Sequence, residues 1–97
     1  MKAHQYRITL EHLEDQQGNS MNQKIQFIAD NHDDIFKIIE MSKQRDGFTS
    51  EMAEQFTLGL KLMSEVMMIH RDHPLFREIR PHFVEIMKLV KGKAKQE

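Results

Sequence analysis

Residues 68–83, MIHRDHPLFREIRPHF, gather the side chains of this chain best suited to chemistry. They include His70, His73 and His82, together with Arg71, Arg77 and Arg80, and both prolines, Pro74 and Pro81. Three imidazoles can ligate zinc or another divalent cation, and Asp72 could add an oxygen. The spacing argues against that use. His73 precedes a proline and is pushed out of helical geometry, so it does not share a helix face with His70. A histidine at a helix end also has a simpler task, contact with the last carbonyls. The three arginines suggest anion binding, because guanidinium groups pair bidentately with carboxylate or phosphate. Helix starts near Pro74 and Pro81 would add N–H donors. Asp72 and Glu78 lie among these arginines, however, and can pair with them internally.

Other chemistry finds less support. Ser42 and Ser64 fall inside predicted helices, Ser50 serves as a helix cap, and none sits in a nucleophile elbow. Asp33, Asp34 and Glu51 are accounted for by helix starts. The four glycines are scattered and form no phosphate-binding loop. The chain has no cysteine, which excludes disulfides, thiolate metal sites and a cysteine nucleophile. No cofactor motif is present, and the expectation is a protein that is not an enzyme. The side chains at 70–82 remain a candidate site for an anion or a partner.

Those side chains must be positioned by the elements around them. Ninety-seven residues argue for one domain, 1–97, with a polar, frayed tail at 92–97. Hydrophobic residues at 39% and charged residues at 30% suit a globular domain rather than a disordered one. Tyr6, Ile8 and Leu10 alternate with Gln5, Arg7, Thr9 and Glu11, the period of a strand with one buried face. The alternation resumes through Met21, Ile25 and Phe27 after the turn chemistry of DQQGNS, where Gly18 and Asn19 can take positive φ. These segments predict a β-hairpin with strands at about 4–14 and 21–29.

Four helical segments follow. The first is predicted at about 32–45, capped by Asn31, with Asp33 and Asp34 in its first turn and Lys43 and Arg45 in its last. Gly47 suits a left-handed stop. The second is predicted at about 50–71, capped by Thr49 or Ser50, with Phe48 placed to pack on Ala53. It carries two apolar rows, Met52–Phe56–Leu60–Met63–Met67 and Leu58–Leu62–Ile69, which predict contact on more than one side. Gly59 costs about 1 kcal/mol against alanine there, and close approach of a neighbour would compensate. The two prolines predict a short helix at about 74–79 and another at about 81–91, with one Pro-kinked helix as the alternative. With 74–79 counted as a helical turn leading into the last helix, the order β-β-α-α-α defines an α+β fold.

The formal net charge of −1 gives no overall basic character of the kind nucleic-acid binders show. Residues 1–69 carry a net of −4 and residues 70–97 a net of +3, the latter read as solvated lysines on a last helix. No apolar run approaches a membrane span, and MKAHQYRITL lacks the apolar core of a secretory signal. A cytoplasmic protein is expected, with neither nucleic acid nor membrane as partner. A lone two-stranded hairpin offers unpaired backbone groups at its edges. Two copies could join them into a four-stranded sheet, so a homodimer through the hairpin edge is expected. Arg7, Glu11 and Lys24 could instead blunt those edges. Eight methionines fit a packed core or an adaptable partner surface, and a half-exposed Met68 beside Leu62 or Ile69 would favour the surface.

The fragments HQYRITLEHL, NHDDIF, LGLKLMSEVM and HPLFREIRPHFVEIMKLVKG together resemble a family of small bacterial proteins classed as a domain of unknown function. The resemblance spans 4–92. It implies a bacterial, single-domain protein and brings no activity, ligand or catalytic residue. The reading that follows is a small binding or regulatory module acting through contacts with itself and with an unknown protein. The alternative is a binder of small anions at 70–82.

Overall fold

The computed structural model describes residues 2–92. An N-terminal antiparallel hairpin is followed by three helices, the expected α+β class. Strand β1 is His4–Glu11 and strand β2 is Lys24–Asn31, paired from His4 opposite Asn31 to Glu11 opposite Lys24. Directly opposed residues share a face. Tyr6, Ile8 and Leu10 therefore lie with Ala29, Phe27 and Ile25 on the apolar side.

The ladder is shorter at the turn than the alternation predicts. Glu14 pairs with Ser20, one residue out of the register that places His12 opposite Gln23, so the regular pairing stops at Glu11. Asp15 then organises the loop. Its Oδ1 accepts the N–H groups of Gln17 and Asn19 at 2.9 Å each, and its Oδ2 accepts the Asn19 side-chain amide at 3.1 Å. Gly18 takes the left-handed φ of 85° that the turn requires, while Asn19 does not.

Helix α1, Ile35–Ser42, starts three residues later than predicted. Asn31 is the last residue of β2, not the cap. Asp34 takes that role, its Oδ1 accepting from Phe36 and Lys37 N–H at 3.1 and 3.3 Å. The helix ends at Ser42, so Lys43 and Arg45 lie beyond its last turn. Turns through Arg45 and Gly47, with φ of 83°, lead to Thr49. Its Oγ1 accepts the Met52 N–H at 3.1 Å and opens α2, Ser50–Ile69. Phe48 meets Phe56 edge-on, with ring centroids 5.9 Å apart.

The last helix, α3, runs unbroken from Pro74 to Gly92. The two short helices predicted at 74–79 and 81–91 are one. Pro81 has no N–H to offer the Arg77 carbonyl four residues back. Both residues are exposed, so water can satisfy that carbonyl, and the apolar spacing carries the helix through. The expected frayed tail falls mostly on 93–97, outside the described residues.

The chain forms two compact units, Met1–Leu62 and Met63–Glu97, with the boundary inside α2. In the first, Ile35, Ala53, Thr57 and Asn31 are buried, and the Ser42 and Thr57 hydroxyls meet at 2.7 Å between α1 and α2. In the second, Met67 is buried while its neighbour Met68 is 50% exposed. The two apolar rows of α2 are not fully covered. Met52, Phe56 and Met63 stand in solvent, and the buried side chains of the first half are the small Ala53 and Thr57. Among the described residues, Gly59 has no compensating neighbour, since a Cβ there would meet nothing within 4 Å.

Candidate functional site

The 70–82 corner is shaped mainly by its backbone. After α2, the His73 N–H donates to the His70 carbonyl at 3.0 Å, and the Arg77 N–H donates to the His73 carbonyl at 3.0 Å. His73 caps α3 with its imidazole, whose Nδ1 accepts the Leu75 N–H at 3.1 Å. That lone pair is engaged and is not available to a metal in this geometry. The ring also packs on Phe76, with centroids 5.3 Å apart. Among the described residues, no three histidine or acidic side chains stand close enough to hold a metal ion.

The arginines behave differently from one another. The Arg80 guanidinium donates to the Arg71 carbonyl at 2.6 Å and ties the first half of α3 to the end of the preceding turn. Among the described residues, neither Asp72 nor Glu78 pairs with Arg71, Arg77 or Arg80, so the internal ion pairs considered from sequence do not form. His70, Arg71, Arg77 and His82 are exposed. The corner thus brings Arg71 and Arg80 together through a carbonyl and assigns His73 to a cap. It sets no shared ligand among the three guanidinium groups.

The hairpin presents the second candidate surface. Near the helices its apolar face is partly covered: Tyr6 and Ala29 are half-buried and Asn31 is 2% exposed. Toward the turn the same face is open, with Leu10 65%, Ile25 58% and Phe27 45% exposed beside the half-buried Ile8. These four are two cross-strand pairs, Ile8 with Phe27 and Leu10 with Ile25. Cross-strand apolar pairs hold a sheet together, yet here their outer surfaces remain wet. On the opposite face, the Gln26 side-chain amide donates to Thr9 Oγ1 at 3.0 Å.

A polar junction anchors the covered end. Asn31 Oδ1 accepts the Asp33 N–H at 2.9 Å, and its amide donates to the Lys61 carbonyl at 3.3 Å. Lys61 Nζ bonds Asp33 Oδ2 at 2.6 Å, and His32 Nε2 lies 3.6 Å from the same oxygen. The Tyr6 hydroxyl accepts the Ile35 N–H at 2.9 Å and donates to the Asp33 carbonyl at 3.2 Å. The sequence signal for this junction was parity. Tyr6 and Asn31 continue the apolar rows of β1 and β2, so both polar groups must point toward the helices. The cap-like context of Asn31 obscured it.

Hairpin, helices and surfaces define a small α+β protein with no recognisable catalytic constellation among the described residues. Residues 4–92 match DUF3861, described as a domain of unknown function with solved structure, and the chain belongs to that family. A crystal structure of a protein of unknown function from Pectobacterium atrosepticum is similar at 34% identity, covering 93% of this chain and 98% of the other, with a TM-score of 0.80. No protein of curated function matches the chain. Among the described residues, no helix is long and apolar enough to cross a membrane.

Proposed function

We propose that this chain is a non-catalytic module that works through protein–protein contacts, chiefly with a second copy of itself through its hairpin. One observation carries the reading: among the described residues, the sheet has two strands, and three of the four side chains in two apolar cross-strand pairs, Leu10, Ile25 and Phe27, are exposed. A two-stranded sheet is marginal in water, and its open edges favour addition of further strands. Exposure of Met68 beside the 61%-exposed Ile69 supports a contact role for α2 as well. The lack of cysteine fits a reducing compartment, and we place the module in the cytoplasm on that ground. Light scattering at micromolar concentration is expected to give the mass of a dimer. A strict monomer at every concentration would overturn the reading.

Anion binding at 70–82 keeps one supporting observation, the lack of acid partners for Arg71 and Arg77 among the described residues. Titration with inorganic phosphate, followed by NMR, is expected to move the Arg71, Arg77 and Arg80 signals together under this second reading. Unmoved signals at millimolar phosphate remove it.

A further inference from the structure

Resting on the self-association reading, we infer that two copies join β1 to β1 in an antiparallel ladder whose two-fold axis passes Thr9. The His12 N–H donates to the Gln23 carbonyl at 2.9 Å, continuing the register of the hairpin. Hydrogen-bonded and non-bonded pairs alternate along an antiparallel ladder. The even-numbered residues of β1 therefore bond to β2. The backbone groups of Gln5, Arg7, Thr9 and Glu11 face outward from the edge, and all four residues are exposed.

A two-fold axis at Thr9 sets these outward groups opposite their own counterparts. Arg7 then faces Glu11 of the second copy, Thr9 faces Thr9, and Glu11 faces Arg7. Opposite charges meet at both ends, and no like charges are opposed between Arg7 and Glu11. On the apolar face, Ile8 falls opposite Leu10 of the second copy. The pairs already present then extend into two rows across four strands, each running Ile25, Leu10, Ile8, Phe27, with the last two from the other copy. The four apolar residues of the open end become neighbours of their own kind. Slipping the pairing register by one residue, half a residue of axis, opposes the apolar face of one strand to the polar face of the other. An axis at Ile8 or Leu10 keeps the faces matched but sets Arg7 or Glu11 against Thr9 and loses the Arg7–Glu11 match, while an axis at Arg7 or Glu11 sets that residue against its own like charge. The outer edge of β2 fits less well. An axis at Phe27 matches Lys24 with Asp30 but sets Ile28, 53% exposed, against Gln26.

Two measurements on the full chain test the ladder. In hydrogen exchange of the unmodified protein, the amides of Arg7, Thr9 and Glu11 are expected to slow as concentration rises. Slowing at Lys24, Gln26, Ile28 and Asp30 instead, or at neither edge, overturns the ladder. In the second test, Arg7→Glu and Glu11→Lys are each expected to weaken the dimer about tenfold or more, since each opposes like charges at both symmetric contacts. Mixing the two variants is expected to restore a heterodimer, because each Glu then meets a cation. Dimers indifferent to either change, or a mixture that stays monomeric, overturn the ladder while leaving self-association standing. A monomeric unmodified protein overturns both.

Discussion

At the scale of single residues, Asn31 and Asp15 do the most local work. Asn31 spends both ends of its buried side-chain amide, on the Asp33 N–H and on the Lys61 carbonyl. Replacing it with alanine leaves both groups without that partner, and Asn31→Ala is expected to cost about 1–3 kcal/mol in urea denaturation. Asp15 is half-buried, and its side chain bonds residues of the turn. Hydrogen bonds from the Asn19 backbone and side chain, with smaller help from Gln17 and Gly18, hold its carboxyl below the ordinary carboxylate range. Because the folded state favours the charged form, this support is present above the ordinary aspartate value and is lost as pH falls through the lowered one. The Gln17 and Asn19 amide signals are expected to titrate in acid below that ordinary value, and Asp15→Ala to abolish the titration. An ordinary or raised midpoint would contradict the turn geometry.

At the scale of elements, local pattern decided type more reliably than extent. Alternation through Tyr6, Ile8 and Leu10 identified the hairpin, and apolar periodicity identified each helix. Boundaries moved where a side chain competed with the expected one. Asp34 displaced Asn31 as a cap, and the shifted Glu14–Ser20 pair cut the ladder short. Pro81 showed the opposite effect, because its cost falls on the carbonyl of an exposed Arg77 and the helix persists. Gly59 was expected to mark a close neighbour and instead lies open. Gly59→Ala is therefore expected to stabilise the protein by up to about 1 kcal/mol, read as a higher thermal midpoint. A loss of stability would mean that another chain occupies the space beside it.

For the whole molecule, folding and association are expected to be linked. If the dimer forms, the thermal midpoint should rise with protein concentration, because assembly favours the folded chain by mass action. A midpoint constant over a hundredfold dilution range would argue for a self-sufficient monomer. Much of the fold was legible in the sequence because hairpins and amphipathic helices are written in local periods. The candidate surfaces were less so. The sequence could place three arginines within ten residues, but could not show that Arg80 bonds a main-chain carbonyl. Nor could it show where cover ends along the hairpin, since Tyr6 and Leu10 share one face and differ only in what packs above them.

Adjacent positions in α2 also give this protein an internal record of oxidative damage. Met67 is buried and Met68 is half in water, so oxidants reach the second thioether before the first. Sulfoxide at Met68 adds polarity where solvent already stands, whereas sulfoxide at Met67 places an oxygen among packed side chains. The order in which the two appear separates wear on the surface from opening of the interior.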